Sequence, residues 1–97
     1  MTARHVAVID IGKTNAKLAL VDLESQSEFA VVTRQNVVRP GPPWPHFDTD
    51  GTWDFLLDAL SQFHSEHRVD AITVTAHGAS VTLLASDGSL AAPILDY

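Results

Sequence analysis

Prolines at positions 40, 42, 43 and 45 divide this chain into two parts with different hydrophobic periods. Each proline fixes φ and removes a backbone donor, so residues 39–46 read as irregular chain. Before this segment the pattern is that of strands. Residues 4–10 are an apolar, β-branched run, expected to be a buried strand. Gly12 and Asn15 then supply the residue types that best tolerate a turn. Residues 16–23 read as a second strand, 24–27 as a polar turn, and 28–38 as a third strand. Links this short predict an antiparallel meander.

After the prolines the period becomes helical. Trp53, Leu56, Leu57, Leu60 and Phe63 fall on one face of a helix over 52–66. Asp50 suits its N-cap, Asp54 its positive end, and His67 and Arg68 its negative end. Residues 69–75 read as a fourth strand. A strand–helix–strand crossover places it parallel to the first. Residues 80–85 read as a fifth strand, followed by the hairpin turn Ser86-Asp87-Gly88-Ser89. The expected fold is α/β, one domain with a mixed sheet in the order β-β-β-α-β-β.

Composition narrows the function classes. The 97 residues include no cysteine, which excludes a disulfide scaffold, a thiolate zinc site and a thiol nucleophile. No apolar run approaches the roughly 18–20 residues needed to span a bilayer, and no signal-peptide core is present. A cytoplasmic protein is expected. The net charge of −6 is concentrated after residue 45, where only Arg68 opposes eight acidic residues. Nucleic acid and anionic membrane are therefore poor partners. The near-neutral first half can still hold one phosphate, which needs only backbone N–H groups and a lysine.

Two motifs carry chemistry. Asp10-Ile11-Gly12-Lys13-Thr14-Asn15 closes the first strand and opens the hairpin. Gly12 permits close approach of an anion, and the following N–H, hydroxyl and ammonium groups can bond it. Asp10 at the strand tip can hold Mg²⁺ through water, since Mg²⁺ takes few protein ligands. An ordinary hairpin with a polar tip is the alternative. Thr75-Ala76-His77-Gly78-Ala79-Ser80 follows the fourth strand, at the carboxyl edge where open α/β sheets bind ligands. His77 can bond a substrate hydroxyl and Gly78 can allow close approach; a turn with a locally bonded histidine is the alternative. His64-x-x-His67 has a spacing that can bind metal, but the sequence places no further ligand and the pair reads as a solvated helix end. Trp53 reads as helix core, and Trp44 as a loop anchor or a wall of a sugar pocket.

The order of these motifs resembles the N-terminal end of the FGGY-type carbohydrate kinases. These belong to the actin, hexokinase and heat-shock 70 ATPase superfamily, with a ribonuclease H-like domain. The family's opening Asp-x-Gly-Thr-Thr-x-x-x-Lys/Arg is matched by Asp10, Gly12, Thr14 and Lys17, with Lys13 where Thr is commoner. Ala76-His77-Gly78 is similar to its Gln-Met-His-Gly segment. Residues 81–97 are similar to its hairpin and Pro-Ile-Leu-x-Asp strand.

The resemblance implies transfer of the ATP γ-phosphoryl group to a sugar hydroxyl. Asp10 would organise Mg²⁺, and Gly12, Lys13, Thr14, Asn15 and Lys17 would hold the nucleotide's phosphates. His77, Gly78 and Asp96 would contact the sugar. The family's general base and adenosine motifs lie beyond these positions, so residues 1–97 alone are expected to be inactive. The sheet order and the apolar approach to Tyr97 lead to the same expectation, an incomplete first domain. The remainder of the kinase chain is the expected protein partner, and a homodimer is left open. A non-catalytic ribonuclease H-like binding module and another kinase of the same superfamily are the competing readings.

Overall fold

The computed structural model describes residues 3–78 and 80–96. Ala79 of the His77 motif and Tyr97 of the last strand lie outside them. The first three strands are β1 (His5–Ile11), β2 (Asn15–Asp22) and β3 (Ser27–Gln35). They form the expected meander: β1 and β2 pair antiparallel from His5↔Asp22 to Ile11↔Ala16, and β2 pairs antiparallel with β3. Two short strands follow, β4 (Val38–Arg39) and β5 (His46–Phe47), paired antiparallel around the prolines. Helix α1 (Thr49–His67) leads to β6 (Ala71–Ala76), which runs parallel to β1 from Val6↔Ala71 to Ile11↔Ala76. The main sheet has the order β3-β2-β1-β6. No helix among the described residues is long and apolar enough to cross a membrane.

Alternation along the strands sets the core. Ala7 and Ile9 of β1 and Leu18 and Leu20 of β2 are buried beneath Leu56, Ala59 and Phe63 of α1. Leu18 and Leu20 are fully enclosed. Each contributes roughly 1.5–3 kcal/mol through removal of apolar surface from water. Asp10, between Ile9 and Ile11, points to the opposite face of the sheet by the same alternation.

Several expectations are corrected. The helix begins earlier than 52, and its N-cap is Asp48, not Asp50. Asp48 Oδ1 accepts from Gly51 N at 3.2 Å, while its Oδ2 receives Arg34 Nη2 at 3.1 Å. Arg34 reaches over from β3 and also donates to Thr52 Oγ1. A side chain at Gly51 would collide with both Asp48 and Arg34, so this clamp requires glycine inside the first turn. The Gly51 N–H and then Arg34 hold the Asp48 carboxyl below the usual range.

Trp53 is not core. It is 62% exposed, because α1 lies over β1, β2 and β3 and leaves β6 uncovered. Ile72 and Val74 share the α1 side of the sheet with Ala7 and Ile9, their register partners, yet stand exposed for the same reason. Residues 80–85 do not join the sheet. They fold back in a hairpin with a single bridge, Leu84↔Leu90, supported by Ala85 N to Ser89 O at 2.8 Å. Residues 94–96 extend the small ribbon, through Phe47 N to Ile94 O and Asp96 N to Pro45 O, both at 2.9 Å. Trp44 serves as a loop anchor, donating Nε1 to Pro93 O at 3.3 Å.

Candidate functional site

The carboxyl ends of β1 and β6 meet at one place. Asp10 is the register partner of Thr75, and the Thr75 hydroxyl donates to Asp10 Oδ1 at 2.9 Å. The carboxylate is exposed, and this is its one hydrogen bond among the described residues. Ionised carboxylate oxygens offer about four acceptor positions, so most of its capacity faces water. That donor chemistry fits Mg²⁺ held through water. A cage of several protein ligands is not built here, for the described residues contain no group of three or more metal-binding side chains.

The turn beyond Asp10 is tight. Gly12 N donates to Asn15 O at 2.9 Å, and a Cβ on Gly12 would lie 3.4 Å from that oxygen. Lys13, Thr14 and Asn15 are exposed at its tip. Lys17 shares the face of Asp10, its register partner, but its Nζ pairs with Glu28 at 3.3 Å. The structure thus brings Asp10 and the 12–15 turn together and directs the Lys17 ammonium towards β3.

His77 follows directly, its N–H bonded to Ile11 O at 3.0 Å. The imidazole packs edge-on to Phe47 with centroids 5.6 Å apart, and Ser80 Oγ lies 3.1 Å from Nδ1. It lines a cleft of about 370 Å³ on the α1 side, whose apolar lining includes Trp53, Phe47, Ile94 and Val74. Gly78 is exposed, and an added Cβ would meet nothing within 4 Å. Asp96 stands on the ribbon, while Ile94, two residues earlier, reaches the cleft.

The two helix histidines have local partners. His64 Nδ1 accepts from Val69 N at 3.0 Å, and His67 packs edge-on to Phe29. Two residues given no role by the sequence also belong to the site: Thr75, which opens the His77 motif, and Asn36, which lies in no motif. Thr75 bonds Asp10, and Asn36, just past β3, bonds the turn through Nδ2 to Gly12 O at 2.6 Å. Their shared sequence signal is their place at strand ends; the contacts span 65 and 24 positions.

Similar folds are found among solved structures. A carbohydrate kinase from Novosphingobium aromaticivorans is 34% identical, with a TM-score of 0.83, over 100% of this chain and 20% of its own. A gluconate kinase from Lactobacillus acidophilus is 18% identical, with a TM-score of 0.77, over 97% of this chain and 20% of its own. A xylulose kinase from the same organism is 18% identical, with a TM-score of 0.75, over 95% of this chain and 19% of its own. The latter two likenesses are of fold alone. This chain therefore spans about a fifth of the length of the kinases it matches. No protein-family model and no curated protein sequence matches it. The structural neighbours agree with the resemblance read from the motifs, an N-terminal segment of an FGGY-type carbohydrate kinase.

Proposed function

From this match along its whole length to part of a carbohydrate kinase, we propose that the chain forms one wall of the active site of an ATP-dependent sugar kinase. The observation that carries the proposal is the meeting of Asp10, the 12–15 turn and His77 at the carboxyl ends of two parallel strands. Open α/β sheets bind ligands at that edge. Phosphoryl transfer asks for positioning and charge neutralisation rather than covalent chemistry from the protein.

The N–H groups and side chains of residues 12–15 hold the phosphates of ATP. Asp10 holds Mg²⁺ through water, and bound Mg²⁺ neutralises charge on the phosphates. His77 bonds a hydroxyl of the sugar from the cleft side, and Asp96 and Gly78 border the same substrate. Lys17 contributes positive charge when it leaves Glu28. The exposed Ile72 and Val74 receive the remainder of the kinase chain, which brings the general base.

A coupled assay for ADP tests this. The polypeptide that continues into the rest of the kinase is expected to release ADP in a sugar-dependent manner, and residues 1–97 alone to release none. The absence of sugar-dependent ADP from the longer polypeptide, across ketoses, aldonic acids and polyols, would overturn the reading. Turnover by the 97-residue chain would overturn the assignment of a missing base.

A further inference from the structure

We propose that Asn36 is a positioning residue that holds the 12–15 turn with its N–H groups outward for a phosphate; the inference rests on the phosphate-cradle reading above. Three consecutive carbonyls of the turn accept hydrogen bonds from this one residue. Asn36 Nδ2 donates to Gly12 O at 2.6 Å and to Lys13 O at 3.1 Å, and Asn36 N donates to Thr14 O at 2.7 Å. Both protons of the carboxamide and the backbone proton are thereby used.

The consequence follows from peptide geometry. In a trans peptide unit the C=O and the next N–H point in opposite directions. The cis bonds of the chain precede Pro42 and Pro43, so the units of the turn are trans. With the carbonyls of residues 12, 13 and 14 drawn to Asn36, the N–H groups of Lys13, Thr14 and Asn15 are directed away from it. Asn36 lines the cleft on the α1 side, whereas Asp10 points to the other face. Consecutive N–H groups sharing one direction form an anion-binding concavity. Without the carboxamide, the Gly12 and Lys13 peptide units are free to rotate, and that order must be recovered on binding.

The test is an amide NMR titration of the 97-residue chain with inorganic phosphate, without metal. Saturable shifts are expected at residues 13–15. Asn36→Leu keeps the bulk and removes both side-chain donors, and is expected to weaken phosphate binding about tenfold. Slow hydrogen exchange at Leu18 and Leu20 reports that the sheet is intact. An intact Asn36→Leu chain with unchanged affinity overturns the proposal and leaves the cradle reading standing. If that variant loses the sheet, Asn36→Ser decides, since it keeps one donor: weaker binding supports the proposal and unchanged binding overturns it. Absence of any phosphate shift at residues 13–15 in the unaltered chain overturns the cradle reading, and the proposal with it.

Discussion

Asp70 and Asp10 lie at opposite ends of the β1–β6 pair, and the chain treats them in opposite ways. Asp70 Oδ2 accepts from Arg4 N at 3.1 Å and His5 N at 3.0 Å, and its Oδ1 lies 3.1 Å from Arg68 Nε. Next to it, His5 Nδ1 donates to the His67 and Arg68 carbonyls at 2.7 and 3.0 Å, closing the end of α1. The Asp70 side chain is only 14% exposed. Asp10 is exposed and receives one hydroxyl among the described residues. A carboxylate held by two backbone N–H groups and an arginine fastens the fold, and one left with spare acceptor capacity at a strand tip is available to a ligand. The same residue type on the same strand pair thus fastens the fold at one end and, in the proposed function, meets the ligand at the other.

The contrast breaks first on activity. In the longer kinase polypeptide, Asp10→Asn is expected to lower turnover about 100–1,000-fold, the scale for losing one electrostatic contact to developing charge. Its effect on folding is expected to be within about 0.5 kcal/mol, as for an exposed substitution. Asp70→Ala is expected to do the reverse. The melting temperature falls by several degrees, because the Arg4 and His5 N–H groups lose their acceptor, while turnover per folded molecule holds. Equal thermal losses for the two variants would erase the distinction.

Acid sharpens it. The His5 and Arg4 N–H groups, with Arg68 nearby, hold the Asp70 carboxyl below its usual range. A carboxylate lowered on folding adds stability that is complete above its unfolded value near 3.9. That stability is lost as the pH falls through the lowered folded value. Asp70→Asn is therefore expected to flatten the stability of the chain between about pH 5 and pH 2. Asp48 and Asp22, lowered by the Gly51 N–H and by Arg4 respectively, retain part of the slope. Urea midpoints across that range measure it, and a slope in Asp70→Asn equal to that of the unaltered chain would contradict the role given to Asp70.

What was legible in the sequence follows from locality. The β1–β3 meander could be read because short polar turns separate apolar runs, and parallel β6 because a helix stands before it. The ribbon of β4 and β5 could not be read, because the prolines between its two strands mark the segment as irregular, and the residues 94–96 that extend it lie some fifty positions away. Position 53 fits the helical period, but periodicity says nothing of how much sheet a helix covers, and Trp53 projects past the covered part. Val81, Leu83 and Leu84 have strand-forming side chains, yet that preference depends on a neighbouring edge. Among the described residues they find only the hairpin. At the site, Asp10, Gly12 and His77 announced themselves by type and spacing. Asn36 lay in no motif and Thr75 had a motif but no role, since each acts on a residue far away in sequence.

The smallest expected effect separates these two kinds of residue most finely. Thr75→Val preserves the β-branched shape that suits a strand, so stability is expected to change by less than about 1 kcal/mol. It removes the hydroxyl that fixes Asp10 Oδ1. The Asp10 carboxylate can then rotate, and a Mg²⁺ shell must order it on binding. The Mg²⁺ concentration giving half-maximal turnover is expected to rise about 3–10-fold, the equivalent of one modest hydrogen bond. The sugar KM is expected to stay the same, and Thr75→Ser to restore the Mg²⁺ dependence. A general loosening of the strand end would instead raise both constants together and resist rescue by serine, because the bond at fault would then be packing rather than the hydroxyl.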